Sequence, residues 1–307
     1  MTLQLDWLHG CATALVTPFT ADGAVDEKRL RDLIEYQIAG GVRVLVPCGT
    51  TGESVTMSDE ENRFVIGTTV ELARGRAKVI AGTGSNSTAV TIARSQGARS
   101  LGVDGVLTVA PYYNKPTQEG LYAHFRAIAE AVSDLPVVIY NVPGRTSSNI
   151  SAETTLRLAR DVENIVAVKE ASGNLSQIME ILRGRPEDFR VISGDDALTL
   201  ALIALGAEGL ISVASNEAPT LMSQLNDLAL AGKWTEARAL HYRLLPLMEG
   251  NFIESSPGPV KAAMAMMGLL EENLRLPLVP VQEKTRVRLR EILDELGLLK
   301  ETSHAVA

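Results

Sequence analysis

Residues 165–171 read IVAVKEA. An unbroken Val/Ile/Ala run of this kind is the signature of a strand buried on both faces, yet it ends in Lys169 and Glu170. Lysine is among the side chains least often fully buried without a partner. The run therefore either leaves the core at Lys169 or delivers an amine to a site. Strand alternation puts Lys169, Ala167 and Ile165 on one face.

Seven runs of similar character flank this one: CATALVT (11–17), VRVLVPC (42–48), KVIAGTG (78–84), GVLTVAP (105–111), PVVIYNV (136–142), RVISGDD (190–196) and GLISVAS (209–215). Between them lie stretches with apolar residues at three- and four-residue spacing, such as DEKRLRDLIEYQIAG, SDEENRFVIGTTVELAR and TQEGLYAHFRAIAEAV, the period of amphipathic helices. Start signals agree, with Ser58 and Glu61 placed as a capping box and Asp26 and Ser151 as N-caps. Strands alternating with helices predict a parallel sheet, and eight such units predict a (β/α)8 TIM barrel. An open dinucleotide-binding sheet would carry a glycine-rich loop after its first strand. Here that place holds TPFTADG, and Gly82-Thr83-Gly84 lacks the third glycine.

After the eighth run the strands stop. Residues 217–300 give three or four helices, including GKWTEARALHYRLLPLMEG and GPVKAAMAMMGLL. The expected organisation is a catalytic barrel, 1–217, with a C-terminal helical domain, 218–307, that braces the barrel or a subunit interface.

Composition excludes several classes. The chain has 307 residues, 46% hydrophobic, with 29 basic against 37 acidic side chains, and no basic cluster suited to nucleic acid phosphates. Neither a signal-peptide pattern nor a run of about 18 uncharged apolar residues is present, which predicts a cytoplasmic protein that does not meet a membrane. Cys11 and Cys48 sit in strand-like runs and read as core residues, and no Cys/His spacing resembles a metal site.

In a barrel of this kind the chemistry gathers where strands end and loops begin. Those positions hold Thr50 and Thr51 in GTTGE, Tyr113 in PYYN, Tyr140 and Arg145 in YNVPGRT, Lys169, Gly194 in SGDD, and Ile211. If Lys169 points into an apolar barrel mouth, desolvation lowers its pKa and makes the amine a nucleophile towards a carbonyl carbon; otherwise it reaches outward or pairs with Glu170. GTTGE offers hydroxyls and glycine-flanked N–H groups suited to a carboxylate, or is a plain strand-to-helix turn. The phenols are proton carriers or buried core groups. Arg145 is either a bidentate carboxylate ligand or a solvated loop arginine.

The run VPCGTTGES and the pair YNVP and VKEAS, about 30 residues apart, resemble the dihydrodipicolinate synthase and N-acetylneuraminate lyase family of class I aldolases. The similarity extends over essentially the whole chain, and PYYNKPTQEGLYAHF with YNVPGRT resembles its synthase branch, because the lyases lack the arginine after YNVP. The resemblance implies an imine between Lys169 and pyruvate, with no dissociable cofactor. It also implies a proton relay of Tyr140, Thr50 and Tyr113, the last reaching into a neighbouring subunit of a homotetramer built as a dimer of dimers. Thr50 and Thr51 would hold pyruvate's carboxylate, the Ile211 backbone and Gly194 would help seat pyruvate, and Arg145 would bind the carboxylate of a small anionic aldehyde, L-aspartate 4-semialdehyde, on the way to 4-hydroxy-tetrahydrodipicolinate and lysine. Members inhibited by lysine typically carry histidines and a glutamate where Asp59, Asn62 and Val90 stand here, although Ser54, Asn86 and Tyr112 match, so feedback is expected to be weak or absent. Two other readings stay open: a class I aldolase or dehydratase acting on 2-keto-3-deoxy sugar acids or 4-hydroxy-2-oxoglutarate, and a non-catalytic ligand-binding barrel.

Overall fold

The computed structural model describes residues 5–299; the terminal ETSHAVA, whose composition suggests fraying, lies outside them. The strands β1 (Gly10–Ala14), β2 (Val44–Val46), β3 (Lys78–Gly82), β4 (Gly105–Val109), β5 (Val137–Asn141), β6 (Ile165–Glu170), β7 (Arg190–Ser193) and β8 (Gly209–Ser212) run in chain order around one closed parallel barrel. The barrel shuts where β8 pairs with β1, from Gly10↔Gly209 to Thr13↔Ser212. At that seam the backbones approach so closely that a Cβ on Gly209 would lie 2.3 Å from the Gly10 carbonyl oxygen. The (β/α)8 expectation holds.

Alternation divides each strand between two cores. Val44, Val46, Ile80, Leu107, Val138 and Ile211 fill the barrel interior, while Leu45, Val79, Val106, Ile139, Val168 and Val191 meet the surrounding helices. This two-sided burial is why the strand runs read as continuous Val/Ile/Leu rather than as alternating polar and apolar residues. One face assignment is corrected. Ala167 faces inward, as expected, but Ile165 packs outward and Val166 inward. The ladder slips here, pairing Val137 with Ile165 and then Val138 with Ala167, and a one-residue bulge resets the side-chain alternation.

The helices begin where the sequence signals placed them. Asp26 accepts from Arg29 N at 3.0 Å, Ser58 and Glu61 form the reciprocal capping box, and Ser151 accepts from Thr154 N at 3.2 Å. Each such cap contributes about 1 kcal/mol. Four further helices follow the barrel: Pro219–Leu230, Trp234–Gly250, Gly258–Met266 and Glu283–Leu296. They bury Met222, Leu225, Leu244, Leu247 and Leu293 in one cluster with Cys11 of β1 and Leu210 of β8, so the helical part covers the seam where the barrel closes. Cys11 and Cys48 are free and buried, their thiols pushed up by desolvation. Among the described residues no helix is long and apolar enough to cross a membrane.

Candidate active site

Lys169 resolves the question its run poses. The residue is 6% exposed, pairs with Tyr140 in the β5–β6 ladder, and places its Nζ 4.3 Å from the centre of the Tyr140 ring. Glu170, the alternative partner, turns to the other side of the strand. Its carboxylate accepts from Ser172 N at 2.7 Å and from Asn141 Nδ2 at 3.2 and 3.1 Å. Among the described residues no hydrogen bond or ion pair holds Lys169 Nζ. Burial therefore pulls the amine down to about 8, with Asp196 opposing the fall and the Arg145 cation adding to it. Burial pushes the Tyr140 phenol up to about 12, against a smaller lowering by Arg145, which keeps it protonated and able to donate.

Around these two groups opens a cavity of about 360 Å³ at the C-terminal ends of the strands. Six of the eight sequence-predicted site residues line it: Lys169, Tyr140, Thr50, Thr51, Arg145 and Gly194. The loop after β2 bonds to itself through Gly52 N to Gly49 O and Glu53 N to Thr50 O, both 3.1 Å. Neither the N–H groups nor the hydroxyls of Thr50 and Thr51 are spent within the described chain, so donors stand free on one side of the amine. Arg145, in the short helix Pro143–Thr146, has no ion-pair partner among the described residues and supplies a cation on another side. Gly194 leaves room for the lysine stem: a Cβ there would lie 2.9 Å from Lys169 Cε and 2.8 Å from Ala171 Cβ.

Two predicted residues stand apart. Ile211 is buried in the barrel interior below the cavity rather than on its wall. Tyr113 is 88% exposed with a positive φ of 74° and does not line this chain's cavity. Conversely, sequence reasoning missed Phe252 and Ser256, which the helical part contributes to the lining. It also gave no role to Asp196, which is buried beside the site and accepts from Ser212 Oγ and from Val213 N. Nothing in GDD distinguishes Asp196, which turns inward, from Asp195, whose carboxylate receives Ala197 N at 3.0 Å.

A second cavity, about 290 Å³, lies near Asp59, Asn62 and Val90, with Arg63 and Arg94 on its wall. Asp59 there is paired with Arg94 at 2.9 Å. The Asn62 amide is spent on the carbonyls of Ser54, Met57 and Ser58. Among the described residues no group of three or more His, Cys, Asp or Glu side chains is placed to hold a metal ion.

Comparison with known proteins extends these observations. Residues 7–296 match the model of the dihydrodipicolinate synthetase family. The 4-hydroxy-tetrahydrodipicolinate synthase of Koribacter versatilis (strain Ellin345) is 54% identical over 299 residues, 97% of this chain and 99% of the relative. The dihydrodipicolinate synthase of Aquifex aeolicus superposes with a TM-score of 0.93 at 46% identity, covering 95% of this chain and 99% of the other. The chloride-inhibited dihydrodipicolinate synthase of Acinetobacter baumannii, solved in complex with pyruvate, superposes with a TM-score of 0.92 at 44% identity, covering 95% and 99%.

Proposed function

Because this chain belongs to the dihydrodipicolinate synthetase family, we propose that its cavity condenses pyruvate with L-aspartate 4-semialdehyde to 4-hydroxy-tetrahydrodipicolinate, in the biosynthesis of lysine and diaminopimelate. The enzyme is a lyase of the class I aldolase type. The observation that carries the reading is the buried Lys169 amine over the Tyr140 ring, unpaired among the described residues, with free hydrogen-bond donors for a carboxylate on two sides of it.

The steps follow from that placement. The Lys169 amine adds to the ketone carbon of pyruvate, and loss of water leaves a protonated imine. The imine draws electrons from the methyl group, a methyl proton leaves, and the enamine carbon bonds to the aldehyde carbon. The Tyr140 phenol, with Thr50 and Tyr113 of a neighbouring subunit as its relay, moves protons between the adduct and solvent. Attack by the semialdehyde's own amine on the imine carbon then closes the ring and releases Lys169. Thr50 and Thr51 hold the pyruvate carboxylate, Gly194 shapes its seat, and Arg145 takes the carboxylate of the aldehyde in bidentate fashion. The imine itself is the electron sink, so the chemistry calls for no dissociable cofactor.

Residues 1–217 form the catalytic unit and 218–307 its helical support, in a cytoplasmic homotetramer. The pairing of Asp59 with Arg94 and the engagement of Asn62 support weak or absent inhibition by lysine.

Borohydride reduction in the presence of pyruvate tests the reading. A mass increase confined to Lys169, together with turnover of pyruvate and aspartate semialdehyde exceeding cleavage of keto-deoxy sugar acids, is expected. Absence of the adduct would sink it.

A further inference from the structure

The loop bearing Thr50 and Thr51 is gripped from its far side by the helical part of the chain. We propose that the buried Glu53–Lys261 ion pair, fastened by Arg275, is a positioning device that sets the pyruvate-carboxylate subsite. The inference rests on the reading of that subsite given above and adds residues that touch no substrate: neither Glu53 nor Lys261 lines the cavity.

The loop needs holding. Between Cys48 (φ 58°) and Glu53 (φ 53°) it turns with two non-glycine residues in the left-handed region, a conformation that persists only where the surroundings over-determine it. On the barrel side, Thr17 Oγ1 donates to Gly52 O at 2.8 Å. On the other side the Glu53 carboxylate, 0% exposed, accepts from Lys261 Nζ at 2.6 Å and from Arg275 N at 3.2 Å. Lys261, likewise 0% exposed, also donates to Asn273 O at 2.6 Å, and its Nζ lies 4.4 Å from the centre of the Phe19 ring.

Arg275 completes the tie. Its guanidinium lies 4.3 Å from the same Phe19 ring and donates to Gly23 O at 2.6 Å, Thr56 O at 2.9 Å and Glu61 Oε2 at 2.8 Å. The loop after β2 and the helical part of the chain thus meet at one carboxylate, close in sequence to the two threonines. A buried ion pair of this tightness is weak evidence for net stability, but it admits one geometry. Threonine donors displaced by even an ångström would meet a carboxylate badly, and misplacement of that size costs orders of magnitude in well-oriented reactions.

Pyruvate titration of borohydride trapping, beside steady-state kinetics, reads the effect directly. Glu53→Gln keeps the shape and removes the charge; Lys261→Met keeps the stem. Each is expected to raise the pyruvate concentration for half-maximal trapping by about tenfold, or ~1.4 kcal/mol, with the plateau still complete and the KM for the aldehyde within about twofold. Arg275→Ala, which cuts only the outer tie, is expected to give a smaller rise of the same kind. Should Glu53→Gln not fold, Glu53→Asp withdraws the carboxylate by one methylene and carries the same expectation. A folded variant with lowered Tm but unchanged pyruvate dependence overturns the inference, as does an equal rise in both KM values. A wild-type enzyme that gives no adduct overturns the reading of the site itself, and the inference with it.

Discussion

Among the described residues two lysines are buried, and their surroundings make them opposites. Lys169, next to the last residue of β6, reaches the cavity with an aromatic ring beside it and no carboxylate in ion-pairing range among the described residues. Lys261 starts from the helix Gly258–Met266 and lies 2.6 Å from Glu53 with a carbonyl as its further acceptor. Burial pulls both amines down, but at Lys261 the Glu53 carboxylate opposes the pull through charge and hydrogen bond together. The lesson is that depth alone does not make a nucleophile. A buried amine becomes one when the desolvation penalty is left uncompensated.

The sharpest way to break this contrast is to remove each amine. Lys169→Met deletes the nucleophile, so turnover should fall by at least about 10⁴-fold and no borohydride adduct should form. Because it also removes an unpaired buried charge, its urea midpoint should equal or exceed that of the wild type. Lys261→Met should do the reverse. Orphaning Glu53 in a dry site is expected to cost about 3–5 kcal/mol of stability, measured by urea unfolding, while the folded fraction still forms the adduct at saturating pyruvate. Equal stability losses in the two variants would erase the distinction.

How much of this contrast the sequence displays differs between the two residues. Lys169 is conspicuous because an apolar run leads straight to it and strand alternation is local. The same locality made the strands and the caps at Asp26, Ser58 and Ser151 legible. The bulge that turns Ile165 outward is not local, since it arises from the pairing of β5 with β6. The Glu53–Lys261 pair joins positions 208 apart, and GPVKAAM shows only a lysine in an apolar helix, with nothing to name its partner. Phe252 and Ser256 escaped for a similar reason, because the rule that barrel sites gather at strand ends points away from a helical tail. Tyr113 lies on this chain's surface, so the relay role proposed for it requires a neighbouring subunit.

Titration sharpens the comparison next. The Lys169 pKa is about 8 folded against 10.5 unperturbed, so between those values the unfolded chain binds more protons than the folded one, and stability rises with pH. Below about 8 the penalty is fully present, on the order of 3 kcal/mol; above about 10.5 it is gone. The stability advantage of Lys169→Met over wild type should therefore shrink as pH rises through this window, followed by urea midpoints at each pH. An advantage independent of pH would refute uncompensated desolvation. The rate of imine trapping at saturating pyruvate should rise with an inflection near pH 8, since at pH 7 about one molecule in ten carries the free amine.

The smallest effect tests whether the amine's position matters as well as its protonation. Gly194→Ala would put a methyl carbon 2.9 Å from Lys169 Cε and 3.1 Å from its Cγ, with Ala171 Cβ at 2.8 Å on the other side. Ala171 cannot yield without moving backbone, so the flexible lysine stem is the part that shifts. Overpacking of this kind costs typically about 1–3 kcal/mol. A displaced nucleophile should lower kcat/KM by roughly 10- to 100-fold, with trapping slower but still complete. Gly144→Ala is the matched control, because an added Cβ there meets nothing within 4 Å, in the short helix Pro143–Thr146 that borders the same cavity. If both substitutions slowed trapping alike, loop rigidity rather than the seat of Lys169 would govern the rate, and the contrast between a placed amine and a merely buried one would lose its geometric half.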